Sequence, residues 1–249
     1  MHNRPIHAPL DEPKTMLDIG CGTGAMVLYL ADAYPDATSI TGIDLSPVPV
    51  PESDRPSNIT FLQGDFADAA YDGRLQPQSF DYVFSRMLSY GISDWPAHIA
   101  RATTLLKPGA WLELQEASLV YYDEGNTPLS TQWRWLQRQK FAFASLGLDI
   151  HAGEKLAGYM RDAGLHDVQV AEYRWVFGRW EGHPETDFIG GFSTMYLPGV
   201  NATRYRKVMG GRLDERELEE DVSEMKRGMG WSEDGKHVPV FVVCGRKEE

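Results

Sequence analysis

This sequence predicts an α/β fold: a parallel sheet with helices on both of its faces. Three observations predict it. Strand-length apolar runs alternate with helix-length stretches up to about residue 120. The first run, Met16-Leu-Asp-Ile-Gly-Cys-Gly-Thr-Gly24, passes straight into a turn with glycine at every second position. The next two runs lead directly to aspartates, Asp44 and Asp65, at their tips.

In chain order, the strands fall at 15–19, 38–43, 59–62, 80–85 and 111–115. Ala25 to Tyr34 is helical in character and stops at Pro35. Residues 47–57 hold four prolines and form a loop where a helix would otherwise follow the second strand. A helix over 96–106 ends at Lys107-Pro-Gly109. Beyond residue 120 the character changes. Residues 130–146 place Trp133, Trp135, Leu136, Phe141 and Phe143 in a helix-length stretch free of proline and glycine. Residues 153–163 set Leu156, Tyr159, Met160 and Ala163 at helical spacing, with Gly164 as the stop, and 167–177 is a strand. In 214–228, Leu218, Val222, Met225 and Met229 recur four, three and four apart, opened by an Asp214–Glu217 capping box. A strand over 238–245 closes the chain.

The glycine turn says that a nucleotide-like ligand approaches the backbone. Gly20, Gly22 and Gly24 lack the β-carbons that would block it and tolerate positive φ. Gly20, Gly22 and Ala25 also satisfy the dinucleotide pattern, which places a pyrophosphate on the helix N-terminus. Three carboxylates point elsewhere. Asp18 lies inside the motif, where an anion suits a cationic or amino-bearing ligand. Asp44 stands where a carboxylate accepts ribose hydroxyls, and Asp65 where one accepts from an exocyclic amine such as adenine's. Carboxylates at three successive strand ends fit S-adenosylmethionine better than a nicotinamide dinucleotide.

Taken together, Leu17-Asp-Ile-Gly-Cys-Gly-Thr-Gly24, Gly42-Ile-Asp-Leu-Ser46, Gln63-Gly-Asp-Phe66, Ser79-Phe-Asp-Tyr-Val83 and Leu105-Leu-Lys-Pro-Gly-Ala-Trp-Leu-Glu-Leu-Gln-Glu116 resemble the class I S-adenosylmethionine-dependent methyltransferases. Gly91-Ile-Ser-Asp-Trp-Pro96, Trp111-Leu-Glu-Leu-Gln-Glu116 and Pro239-Val-Phe-Val-Val-Cys-Gly-Arg-Lys247 resemble the fungal LaeA-like group of secondary metabolism. The resemblance implies a Rossmann-like seven-stranded sheet of order 3-2-1-4-5-7-6 with the last strand antiparallel. It implies one domain over 1–249, with a cofactor-binding part at about 15–120 and substrate and lid segments at about 116–165 and 178–237. The helical lid enters between strands six and seven, at the edge where ligands sit.

By the same resemblance, S-adenosyl-L-methionine is the cofactor and S-adenosyl-L-homocysteine the product. The implied reaction is methylation of a small natural product, first of all at oxygen. A cyclase or pericyclase on the same fold, and a LaeA-like regulatory subunit, are the alternatives. The implied cofactor residues are Asp18, Gly20, Cys21, Gly22, Gly24, Asp44, Leu45, Gly64, Asp65, Phe66, Ser85 and Arg86. Such proteins carry several tens of residues before the glycine motif, whereas 14 precede the first strand here. Either the cofactor cleft is open, or a homodimer or partner subunit covers it, or the sequence is cut short of a longer chain.

A net charge of −12, without any lysine or arginine run, argues against nucleic acid as a partner. Two cysteines, Cys21 and Cys244, make no disulfide framework and suit a reducing cytoplasm. No apolar stretch reaches membrane-spanning length. Metal-ligand spacing and a Gly-x-Ser-x-Gly elbow are both lacking.

His237, just before the last strand, is the first candidate for a general base, set against packing on Trp231. Arg86 follows the fourth strand and binds either an acidic or carbonyl group of the substrate, or a carboxylate of the cofactor or protein. Glu116 ends the fifth strand as base or ion-pair partner, while Glu113 within that strand is structural. Tyr121, Tyr122, Trp133, Trp135, Phe141 and Trp180 are candidates for an aromatic substrate cage, weighed against plain core packing. Cys21 reads as a small buried residue and His151 as structural; His2, His7, His98, His166 and His183 carry no signal.

Overall fold

The computed structural model describes residues 5–249. Its elements are β1 Thr15–Ile19, α1 Ala25–Ala33, β2 Ser39–Asp44, β3 Ile59–Gln63, α2 Phe66–Tyr71, β4 Phe80–Arg86, α3 Trp95–Leu105, β5 Leu106–Ala117, α4 Arg134–Ser145, α5 Ala152–Asp162, β6 Leu165–Val176, α6 Asp187–Met209, α7 Glu215–Gly228 and β7 His237–Lys247. The strands form one seven-stranded sheet in the expected order, β3-β2-β1-β4-β5-β7-β6. The pairings β1–β2, β1–β4, β2–β3 and β4–β5 are parallel. Among the described residues, no helix is long and apolar enough to cross a membrane.

The chain divides into two compact units. The first comprises residues up to Glu116 together with Gly153–Ala171 and Phe241–Glu249; the second comprises Ala117–Ala152 and Glu172–Val240. In the first unit, β1 is buried on both faces, which is why Met16, Leu17 and Ile19 form an unbroken apolar run apart from Asp18. Asp81 fixes the start of β1 by accepting from Lys14 N at 2.9 Å, Thr15 N at 2.8 Å and Lys107 Nζ at 2.8 Å. Burial opposes its ionisation, but these bonds outweigh that and hold its carboxyl below the usual range.

Glu113, wholly buried in β5, accepts from His7 N at 2.9 Å, Ala8 N at 2.8 Å, Tyr82 Oη at 3.0 Å and Gln115 Nε2 at 2.7 Å. It therefore pins the segment before β1 to the sheet, in keeping with a structural role. Lys107-Pro-Gly109 departs from expectation. The helix does stop at Leu105, but β5 begins at once and carries the tripeptide within it. Between the pairs Phe80–Leu106 and Tyr82–Trp111, β5 has three more residues than β4, and this irregularity is where a proline fits a strand.

The second unit is built on α4, α6 and α7. The predicted capping box of α7 is present: Asp214 Oδ1 accepts from Glu217 N at 2.8 Å, and Glu217 Oε2 from Asp214 N at 3.3 Å. Leu218, Val222, Met225 and Met229 bury the opposite side in one cluster with Tyr121, Trp135, Tyr205 and Phe177. At its centre the fully buried Asp221 carboxylate accepts from Arg134 Nε at 2.7 Å, Arg138 Nη1 at 2.9 Å and Tyr205 Oη at 2.6 Å. One carboxylate thus ties α7 to α4 and α6.

Asp221→Ala leaves the Tyr205 hydroxyl and two guanidinium groups without their acceptor. Both arginines are part-exposed, which lets water take up some of the loss, so a destabilisation of about 2–3 kcal/mol is expected. Urea unfolding followed by circular dichroism checks it; a change below about 0.5 kcal/mol contradicts this account of the helix layer.

Candidate functional site

The glycine turn of the first unit leaves β1 as the sequence requires. Gly20, Gly22 and Gly24 have φ of +70°, +54° and +78°. Their surroundings differ. A β-carbon on Gly20 would collide with Leu88, and one on Gly24 would lie 2.8 Å from Phe61 and 2.9 Å from Val48. One on Gly22 would meet nothing within 4 Å. A side chain at Gly20 or Gly24 would thus press on neighbouring side-chain ends, while Gly22 faces open space; positive φ favours glycine at all three.

Four carboxylates at strand ends are held in different ways. Asp44 takes Gly22 N on Oδ2 and Ser46 N on Oδ1, both at 2.8 Å, which latches the turn to the end of β2. Asp65 caps α2 by accepting from Ala67 N at 2.7 Å. Each carboxylate retains lone pairs beyond these bonds. Glu116, wholly buried, accepts from Leu88 N at 2.6 Å, Ser89 Oγ at 2.6 Å and Ser89 N at 3.2 Å. It positions the loop that places Leu88 against Gly20, while burial pushes its pKa up to about 7 against the pull of these hydrogen bonds.

Asp18 differs from all of these. It is 3% exposed, and among the described residues its carboxylate accepts no hydrogen bond. Burial pushes its pKa up to about 7, with Arg86 pulling it down and Asp44 pushing it up. Arg86 itself is exposed at the end of β4, its guanidinium carbon 5.8 Å from the Phe84 ring. Next to it, the buried Ser85 hydroxyl has no hydrogen-bond partner among the described residues. Leu45, after Asp44, is 70% exposed, an apolar surface beside the ribose candidate.

Gly64 takes φ +149° and donates its N–H to Asp44 O at 2.9 Å. Phe66 is buried, its ring 5.2 Å edge-on from His98. Burial, aided by the charge of Arg101, drops His98 to a pKa of about 4 against the pull of Asp65, and among the described residues its Nε2 has no hydrogen-bond partner. His98 was missed in the sequence; with Trp95, Ile99, Ala102 and Leu105 it lies on the buried face of α3, a periodicity that was legible. Burial raises Cys21 to about 12, so it is an inert small residue, as expected.

In the second unit, His237 is buried, with Nδ1 2.8 Å from Gly235 O. A carbonyl oxygen only accepts, so the proton sits on Nδ1 and Nε2 keeps its lone pair. Burial lowers the pKa, the charge of Arg174 lowers it further, and the bond to Gly235 opposes them. The imidazole lies between Tyr122, with ring centres 6.1 Å apart, and Trp180, at 6.0 Å and 3° from parallel. Arg174 stacks on Trp180 at 4.7 Å. Trp231, the packing partner weighed for His237 in the sequence, is 58% exposed.

The six aromatic candidates separate into three environments. Tyr122 and Trp180 flank His237. Tyr121 packs against Trp133 at 4.8 Å, Phe177 at 5.3 Å and Trp135 at 6.3 Å, as part of the core. Phe141 is 78% exposed and joins neither group: α4 buries Trp135, Leu136, Ala142 and Phe143, which turns position 141 outward. His151 donates its N–H to Asp149 Oδ1 at 2.9 Å in a turn before α5. His2 lies outside the described residues. Among those described, no group of three metal-ligating side chains converges.

Comparison with known proteins bears on the fold and the family. A family model described as a methyltransferase domain matches residues 3–170. Methyltransferase pytC of Aspergillus terreus is 31% identical over 206 residues, 81% of this chain and 62% of that protein. Protein-methionine methyltransferase laeA of Emericella nidulans is 33% identical over 165 residues, 66% of this chain and 43% of its own. The chain thus spans about three fifths or less of the length of these relatives. Haemonchus contortus phosphoethanolamine N-methyltransferase 2, solved with S-adenosylhomocysteine, superposes with a TM-score of 0.58 at 20% identity. It covers 97% of this chain and 50% of its own.

Asp18 has a consequence for stability. Its folded pKa of about 7 exceeds the ordinary 3.8, so between these values the folded state holds a proton that the unfolded chain has released. Stability carried by this group therefore falls as pH rises from about 4 to 7. His98 works in the opposite direction, so the contribution is best isolated by difference. Asp18→Asn is expected to gain on the native protein by on the order of 2–4 kcal/mol across that window in paired urea titrations. A difference that does not change with pH contradicts the assignment.

Proposed function

This chain belongs to the methyltransferase domain family, and on that premise we propose that it binds S-adenosylmethionine and methylates a small natural product at oxygen. The observation that carries the cofactor assignment is the Asp18 corner. A buried carboxylate without a hydrogen-bond donor, beside an open Gly22, is completed by a ligand that brings an ammonium group. Ser85, with its unpartnered hydroxyl, supports the same reading. Asp44, already oriented by two backbone N–H groups, takes the ribose hydroxyls, and Asp65 the adenine amine. Leu45 gives the nucleobase an apolar cover. These residues fit the group. The structural relative's S-adenosylhomocysteine belongs to that relative, and its likeness supports the fold only.

When bound, S-adenosylmethionine supplies an electrophilic methyl group. The chain's own task is to hold a nucleophile in line and exclude water. His237 is proposed as the general base: its neutral Nε2 takes the proton of a phenol or hydroxyl as the oxygen becomes nucleophilic. Tyr122 and Trp180, which fix the imidazole plane, are read as contacts for a flat acceptor. Arg86 is read as favouring the ionised form of Asp18 through its charge, without an ion pair between them. Segments 116–165 and 178–237 remain the proposed source of substrate contacts. The pytC and laeA matches favour fungal secondary metabolism as the setting.

Calorimetric titration with S-adenosylmethionine and S-adenosylhomocysteine tests the first half, with micromolar affinity expected for both. Gly22→Ala is expected to fold with a cost of about 1 kcal/mol and to weaken binding at least about tenfold, because its side chain enters the space left for the ligand. Asp44→Ala is expected to weaken binding by about 1–3 kcal/mol. Affinity unchanged in both variants contradicts the site. For the second half, transfer of a labelled methyl group to a panel of phenols is expected to fall about 100-fold or more in His237→Ala while cofactor affinity holds. Full transfer by that variant retires His237 as the base.

A further inference from the structure

Helix α6 bears a long apolar stripe at the surface. Phe188 and Met195 are 85% and 73% exposed, and Phe192, Tyr196 and Val200 between 42% and 54%. These positions recur three and four apart and so share one side of the helix. From Phe188 to Thr203 no residue is charged. Large apolar side chains gathered in this way on a protein surface mark an interaction site.

We propose that α6 is a homodimer interface, in which two copies of this chain pair their α6 helices antiparallel about a two-fold axis beside Met195 and Tyr196. The stripe is complementary to itself in that arrangement. An axis between Met195 and Tyr196 sets Phe192 of one copy opposite Gly199 of the other, Phe188 opposite Thr203, and Asp187 opposite Arg204. Bulky residues of the N-terminal half meet small ones of the C-terminal half, and an acid meets a base. A β-carbon built on Gly199 touches nothing within 4 Å, which leaves room for the opposing Phe192 ring.

At 150–250 Å² per large side chain, the exposed fractions amount to about 500 Å² per copy. Covering the whole stripe in both copies therefore buries on the order of 1,000 Å², at the threshold of a specific interface and in keeping with a dimer that forms at micromolar concentration. Charge selects the same occupant. The stripe lacks the lysine and arginine that interfacial helices use to hold an anionic bilayer. Being uncharged, it sets no like charges against each other at the contact, so the repulsion between two copies of net charge −12 falls on the rest of their surfaces, where salt screens it.

The test is sedimentation equilibrium of the full chain at about 1–100 μM. Twice the monomer mass is expected toward the upper end, and the monomer mass throughout in Phe192→Glu/Met195→Glu. Both substitutions are at exposed positions, and circular dichroism and the melting temperature check that the fold is retained. Register is tested by a short bis-maleimide. Met195→Cys is expected to cross-link to itself, while Phe188→Cys, whose two copies lie about 22 Å apart along the helices, does not. The native Cys21 and Cys244 are buried and stay silent. A monomer at the highest concentration, a dimer that survives the double substitution, or equal cross-linking at the two positions overturns the proposal. The first of these results, together with loss of the apolar surface on adding a phenolic acceptor, would assign the stripe to substrate instead.

Discussion

A carboxylate buried at the end of the central strand, without a hydrogen bond of its own, is the constraint around which the first unit is arranged. Desolvation of Asp18 costs several kcal/mol if the group is ionised and unpaired. The fold offsets part of this with the Arg86 charge and part by letting the pKa rise to about 7. The neighbouring carboxylates are committed in a way that Asp18 is not. Asp44 latches the glycine turn, Asp65 caps a helix and Glu116 holds the loop bearing Leu88. Because these three fix the backbone around the turn, the space beside Gly22 keeps its shape, and one negative group is left to recognise a positive ligand.

The second unit solves a similar problem in the opposite sense. Its buried carboxylate, Asp221, is fully satisfied by two guanidinium groups and a phenol, and it serves to register three helices. The reactive potential there lies in a base. His237 is kept neutral by burial and by the nearby Arg174, its tautomer is set by one carbonyl, and its plane by two aromatic rings. One unit thus stores a charge that needs a partner, and the other a lone pair.

Much of this was legible from local chemistry. The glycine turn, the strand-end aspartates and the capping box of α7 depend on a few adjacent residues, and they were found where expected. What was not legible depended on tertiary context. Residues 187–209 hold Gly190, Gly191, Pro198 and Gly199, which argue against a helix by propensity, and their apolar residues give no single buried stripe; packing on α4 and α7 makes them α6 all the same. Phe141 looked like its aromatic neighbours, and only the phase of α4 turns it outward. The donors to Glu116 come from the loop after β4, which its own place in the sequence does not reveal. Trp180, 57 positions before His237, and Tyr122 share its surroundings, a proximity that only the tertiary fold reveals.

The central claim is that Asp18 is a buried carboxylate waiting for a cationic ligand. Carbon-13 NMR of the aspartate carboxyls, assigned through Asp18→Asn and titrated from about pH 4 to 9 with and without saturating S-adenosylhomocysteine, addresses it directly. A midpoint near 7 is expected in the free chain, falling by at least about one pKa unit when the ligand's ammonium is bound. A midpoint that is ordinary in the free chain, or one the ligand does not move, contradicts it.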